Sequence, residues 1–149
     1  MKIVVIGDSH GNIANIKLVL GFANKIKAGA IIHCGDWDNL KAVKLIYSFK
    51  IPVYGVLGNA DIDPRITKMV KDQRLKINLG GRKIGVCHNL RHFSLYIHSL
   101  NILFVGHRHF KSERIVNGVK IISPGALHSV EPSFAVYDTA INKVEFFDL

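Results

Sequence analysis

The chain has 149 residues, a length that suits one domain, and 48% of them are hydrophobic against 21% charged, which excludes a disordered chain. No apolar run approaches the roughly 18 residues a membrane span needs, and two cysteines, Cys34 and Cys87, are too few for a disulfide framework. Twenty Lys and Arg against eleven Asp and Glu leave a formal charge of +9, which favours an anionic partner without naming one.

The opening MKIVVIGD runs directly into a strand pattern, so we expect no signal peptide and a cytoplasmic, reduced protein. Residues 2–7 form an apolar run closed by Gly7, the pattern of a strand buried on both faces. Ile13, Ile16, Val19, Leu20, Ala23 and Ile26 then recur at helical spacing and stop before Gly29. AIIHCGD reads as a second strand, Leu40 to Phe49 as a second helix, and IPVYGVL as a third strand. This alternation predicts a parallel sheet with helices packed on it. Asp63–Pro64 has the form of an N-cap followed by a first-turn proline, so a short helix should start there. From about residue 74 the segments RLKINL, GGRKIGVCH, NILFVGH, SERIVNGVKIIS, SFAVYD and KVEFFDL are strand-like, with a helix expected over His92 to Leu100. No linker or repeat divides the halves. The expectation is one α/β domain over residues 1–149, most simply two packed sheets flanked by helices.

The polar residues fall in register with the strand ends. GDSHG follows the first strand, CGDWD the second and GNAD the third; CHN and GHRH end two later ones. In α/β sheets the carboxyl edge is where ligands bind. Gly7 to Gly11 also satisfies G-x-S-x-G between a strand and a helix, but it follows the first strand, with nothing upstream to supply an oxyanion loop, so Ser9 is not read as a nucleophile. A dinucleotide site lacks its full glycine pattern. His33, Cys34, Cys87 and His88 contain no C-x-x-C pair for a structural zinc. Carboxylates, imidazoles and an amide oxygen on one edge form a donor set of mixed hardness. It suits Mn²⁺, Fe²⁺, Zn²⁺, Co²⁺ or Ni²⁺ better than Ca²⁺. Seven ligands are too many for one ion and about right for two that share a carboxylate, the arrangement that clamps a phosphoryl centre.

In this order, Asp-x-His, Gly-Asp, Gly-Asn-x-Asp, a strand-end His and Gly-His-x-His resemble the calcineurin-like metallophosphoesterases, and their small single-domain prokaryotic phosphodiesterase branch in particular. The resemblance covers essentially the whole chain. It implies a four-layer α-β-β-α sandwich of two mixed sheets. It implies that Asp8, His10 and His109 hold one divalent metal and Asn59, His88 and His107 the other, with Asp36 bridging. Manganese is the expected ion, and a bridging hydroxide would attack a phosphoester in line. Arg91 and Arg108, with His92 and Asn59, are the expected substrate contacts, while His33, His98 and His128 read as structural.

Three departures matter. The usual Thr-His-Gly is Cys87-His88-Asn89, and asparagine tolerates the left-handed backbone a glycine would adopt. The usual Asn-Pro-Gly-Ser turn is Ser123-Pro124-Gly125-Ala126, read as structural. In larger phosphatases of the superfamily the x of Gly-Asn-x-Asp is a histidine that protonates the leaving oxygen, oriented by the following aspartate, and many small members have cysteine. Here it is Ala60, which leaves Asp61 with nothing to orient and His10 or water as the remaining proton source. Residues 65–91 carry eight Lys or Arg against Asp72, a solvated face first and a nucleic-acid rim second. A protein-binding scaffold of the same fold with little activity, comparable to a membrane-coat subunit of the superfamily, is the alternative of a different class.

Overall fold

The computed structural model describes residues 1–93 and 97–149. Ten strands form two mixed five-stranded sheets. The first contains β1 (Lys2–Ile6), β2 (Ala30–His33), β3 (Val53–Gly55), β9 (Ser133–Asp138) and β10 (Lys143–Asp148), in the order β10-β9-β1-β2-β3. The second contains β4 (Arg74–Leu79), β5 (Arg82–Cys87), β6 (Ile102–Val105), β7 (Lys111–Val116) and β8 (Val119–Pro124), in the order β4-β5-β6-β8-β7. Each has a parallel centre, β1-β2-β3 in one and β5-β6-β8 in the other, and antiparallel pairing elsewhere.

The period of two along each strand sorts the core into layers. Val4 and Ile6 of β1 face outward, onto a cluster with Ile16, Val19 and Leu20 of α1 (Ile13–Lys25) and Val43 and Ile46 of α2 (Leu40–Tyr47). Ile3 and Val5 face the other way, between the sheets, against Val86, Phe104 and Ile122. On the far side of the second sheet, Leu103, Val105 and Ile121 are covered by Phe93, Ile97 and Leu100. The helix expected over 92–100 falls partly on residues 94–96, outside the described residues; on either side the chain forms 3₁₀ turns, Leu90–His92 and Ile97–Ser99. That outer layer is therefore thinner than the helical one.

Each of the first three site loops runs from a strand end into a capped helix. The side chains of Asn12, Asn39 and Asp63 accept from Asn15 N, Lys41 N and Arg65 N and start α1, α2 and α3 (Pro64–Met69). Pro64 occupies the first turn, as expected. Among the described residues no helix is long and apolar enough to cross a membrane.

Candidate metal centre

The polar strand ends meet where the two sheets abut. Asp8, His10, Asp36 and His109 place ligand atoms all within 4.8 Å of one another, a group able to hold a metal ion. A second group adjoins it through Asp36. The His88 Nε2 lies 2.9 Å from Asn59 Oδ1, 3.2 Å from His107 Nδ1 and 3.4 Å from Asp36 Oδ2. Asp36 Oδ2 is also 3.5 Å from His10 Nε2, so this one carboxylate touches both groups.

Two of the imidazoles face an accepting oxygen with each ring nitrogen. His88 Nδ1 faces the Cys34 carbonyl at 3.0 Å and its Nε2 the Asn59 and Asp36 oxygens, while His10 Nδ1 faces the Asp38 carboxylate at 3.3 Å and its Nε2 Asp36. Donation from Nδ1 leaves the Nε2 lone pair for the cluster, the form a metal ligand requires. Burial lowers the pKa of His88, and burial followed by the neighbouring His128 and His10 lowers that of His109, so both favour the neutral, ligating form.

The carboxylates show what is missing. Asp8 is fully buried, and that burial, then the Asp36 charge, push its carboxyl up to about 8. His10 Nε2 is buried and makes no hydrogen bond. A divalent cation between them would neutralise the two acids and use the orphaned nitrogen. The donor set fits such an ion.

Asp61 stands apart in function. Its Oδ1 accepts from Trp37 N and Asp38 N, both at 2.8 Å, and its Oδ2 from Asp36 N at 3.0 Å and Gly58 N at 2.8 Å. Four backbone amides thus tie the Gly-Asp loop to the Gly-Asn turn through one carboxylate. Gly58 has to be glycine, because a Cβ there would run into the Asp36 carboxylate and amide. Ala60 N completes the joint with a 2.9 Å hydrogen bond to Asp36 Oδ1.

His128, read from sequence as structural, comes to the same edge. Its ring lies 4.1 Å from that of His10 and 4.7 Å from that of His109, and these three offer a further ligand group. Asn15 Nδ2 bonds the Leu127 carbonyl at 2.6 Å, and His128 Nδ1 the Asp8 carbonyl at 2.9 Å, which fixes the ring in place. Only its histidine identity could have signalled this. His33 is buried, stacked on Trp37 and bonded to Ser9 Oγ at 3.0 Å, a structural position. Arg91 and Arg108 line a cavity next to His88 and His107, whereas His92 does not line it.

Comparison with known proteins gives the family and agrees with the fold. The family model of the calcineurin-like phosphoesterase superfamily domain matches residues 1–142, and the chain belongs to that superfamily, which places it among the hydrolases of phosphoesters. It is 23% identical over 139 residues to the phosphodiesterase MJ0936 of Methanocaldococcus jannaschii, covering 84% of this chain and 83% of that one. The fold superposes on that of an archaeal phosphodiesterase with a TM-score of 0.86 at 21% identity over 100% of both chains. It also superposes on Entamoeba histolytica Vps29 in complex with Zn²⁺, with a TM-score of 0.73 at 18% identity over 99% of each.

The geometry makes Asp61 a positioning residue. Asp61→Asn keeps the shape but turns an amide NH₂ toward two backbone N–H groups, so it should cost about 2–4 kcal/mol of stability. Denaturant unfolding of the metal-free protein measures this, and an unchanged midpoint would contradict it.

Proposed function

We propose that the chain is a dinuclear-metal phosphodiesterase. Asp8, His10 and His109 would hold one ion and Asn59, His88 and His107 the other, with Asp36 shared. The observation that carries this reading is the position of Asp36, whose Oδ2 reaches both His10 and His88 at 3.5 and 3.4 Å. Bound divalent ions supply polarisation of the phosphoryl oxygens and a water acidic enough to attack at neutral pH. Mn²⁺ is the ion we favour, with Zn²⁺, Fe²⁺, Co²⁺ or Ni²⁺ compatible with the imidazole-rich set. The chain's own residues gather the imidazoles at the sheet junction and, through Asp61, lock the two loops that carry Asp36 and Asn59. The relative named a phosphodiesterase supports a diester substrate.

Ala60 shapes the specificity. The backbone amide at this position is kept on Asp36, and the side chain offers no proton to a departing alkoxide. A positioned general acid contributes about 10²–10⁴-fold to rate. Diesters with acidic leaving groups, which need no proton, are therefore the substrates this site can turn over well. A second reading, a scaffold, is favoured by the Vps29 likeness, and that Vps29 is itself described with Zn²⁺. Metal content alone thus does not separate the readings; metal-dependent hydrolysis of bis(p-nitrophenyl) phosphate does, and its absence in the Mn²⁺-loaded protein would sink the enzyme reading.

Two outcomes follow from these assignments. Metal analysis after Mn²⁺ reconstitution should find two ions in the wild type, a loss at both positions in Asp36→Asn and a loss of one in His109→Ala. At most one ion in the wild type, with Asp36→Asn binding equally, contradicts the shared carboxylate. Across phosphoesters of graded leaving-group pKa, the wild-type rate should fall steeply as the leaving group becomes more basic. Ala60→His should flatten that slope, raising alkyl-ester rates within the range of about 10²–10⁴. Parallel slopes at equal metal content would show that protonation comes from elsewhere.

A further inference from the structure

Beside the candidate metal centre lies a cavity of about 280 Å³ that shares His88 and His107 with it. Its walls come from two places in the fold. One is the turn after β5, with Arg91; the other is the outward face of β6, β7 and β8. Cross-strand register sets that face, since Ser112 pairs with Ser123 and Arg114 with Ile121. The result is a small apolar floor, Val105 and Ile121, with Arg91, Arg108 and Arg114 among the lining residues and the Arg108 guanidinium also over the Phe110 ring at 4.8 Å. Among the described residues no carboxylate lines it.

Ser123 lines this cavity and is 3% exposed, and its Oγ has no hydrogen-bond partner. A buried hydroxyl left unpaired costs about 1–3 kcal/mol, so its retention on an otherwise apolar floor points to a ligand atom that it meets. Three arginines and a free hydroxyl around a small apolar floor are the chemistry of a phosphoryl group attached to a compact organic body. An extended polyanion fits less well. Arg65, Arg74 and Arg82 of the basic stretch do not line the cavity and reach Asp63, the His92 carbonyl and the Thr139 carbonyl.

From this arrangement we infer that the substrate is a phosphodiester that carries a second phosphate on one of its arms, bound in the Arg91–Arg108–Arg114 cavity while the scissile group sits at the metals. The inference rests on the phosphodiesterase reading above. In the reaction water supplies the oxygen that bonds to phosphorus, and the P–O bond to one arm breaks. One water proton passes to the departing oxygen, and the second phosphate is unchanged. The departing arm is one whose oxygen is acidic, as the lack of a proton donor on the Ala60 side chain requires.

The test uses thymidine 5′-phosphate and thymidine 3′,5′-bisphosphate, which differ by one phosphate. Both are titrated calorimetrically into Mn²⁺-loaded protein freed of excess ion, so the readout needs no turnover. The bisphosphate should bind the wild type at least about tenfold tighter, the gain expected of one well-placed charge-assisted contact. Arg114→Ala should reduce that ratio to within about threefold, and Ser123→Ala, which removes only the hydroxyl, should reduce it in part. Arg65→Ala deletes the same charge from the surface beside Asp63 and should leave the ratio as it was. Equal binding of the two nucleotides, a ratio insensitive to Arg114→Ala, or an equal fall in Arg65→Ala would each overturn the inference. Failure to hydrolyse bis(p-nitrophenyl) phosphate would instead overturn the phosphodiesterase reading, so the two failures are told apart.

Discussion

Three buried carboxylates, Asp8, Asp36 and Asp61, crowd the junction of the two sheets, and the rest of the site depends on how their charge is accommodated. Carboxylates in such a place need donors or cations, because the interior screens them poorly. Asp61 is satisfied entirely by the backbone, through four amides. Asp8 is satisfied in part, by His107 N at 3.1 Å, and burial beside Asp36 still drives its carboxyl up to about 8. One of the three acids therefore builds the frame, and the other two are left for a cation. The division follows from where the amides point, since all three side chains are aspartate.

The frame holds an unfavourable backbone. Of the seven candidate ligands, five have positive φ: Asp8 at 47°, His10 at 38°, Asp36 at 58°, His107 at 71° and His109 at 58°. For residues with a Cβ this conformation costs roughly 1–2 kcal/mol each, a sum that is sizeable against the stability of an ordinary domain. Such strain persists where surrounding contacts over-determine the loop. Here those contacts are the parallel strand ends on one side and the Asp61 amide cradle on the other. In return, short turns throw their side chains back across the strand ends toward one point.

Much of this was legible in the sequence. Apolar strand runs, helical spacing and the Asp63–Pro64 cap marked nearly every element, and the carboxyl-edge rule drew attention to Asp8, His10, Asp36, Asn59, His88, His107 and His109 because they fall at strand ends. What escaped the sequence depends on long-range geometry. His128 sits in the turn before β9, and hydrogen bonds from Asn12 and Asn15 to Leu127, and between this turn and Gly7 and Asp8, bring it over His10. The role of Asp61 could not be read either, since a carboxylate accepting from backbone looks in sequence like one that orients a side chain. The arginine cavity depends on cross-strand register, which sets Arg114 beside Ile121 and Ser112 beside Ser123, far from any motif. The outer layer of the second sheet was expected as a helix over His92 to Leu100; beside residues 94–96, which lie outside the described residues, the chain forms the 3₁₀ turns Leu90–His92 and Ile97–Ser99.

Ala60 connects these strands of argument. The position contributes two separable things, a backbone N–H to Asp36 at 2.9 Å and whatever its side chain carries. The first belongs to the frame and survives any residue with an N–H; the second belongs to the chemistry and is here reduced to a methyl group. A site can therefore lose its proton donor without disturbing the acids, because the turn is held by Asp61 and by the lack of a Cβ at Gly58, neither of which involves the alanine side chain. The ligand set and the side chain at residue 60 are thus separate physical requirements. Charge balance at the sheet junction demands the first, and only the basicity of the leaving group bears on the second.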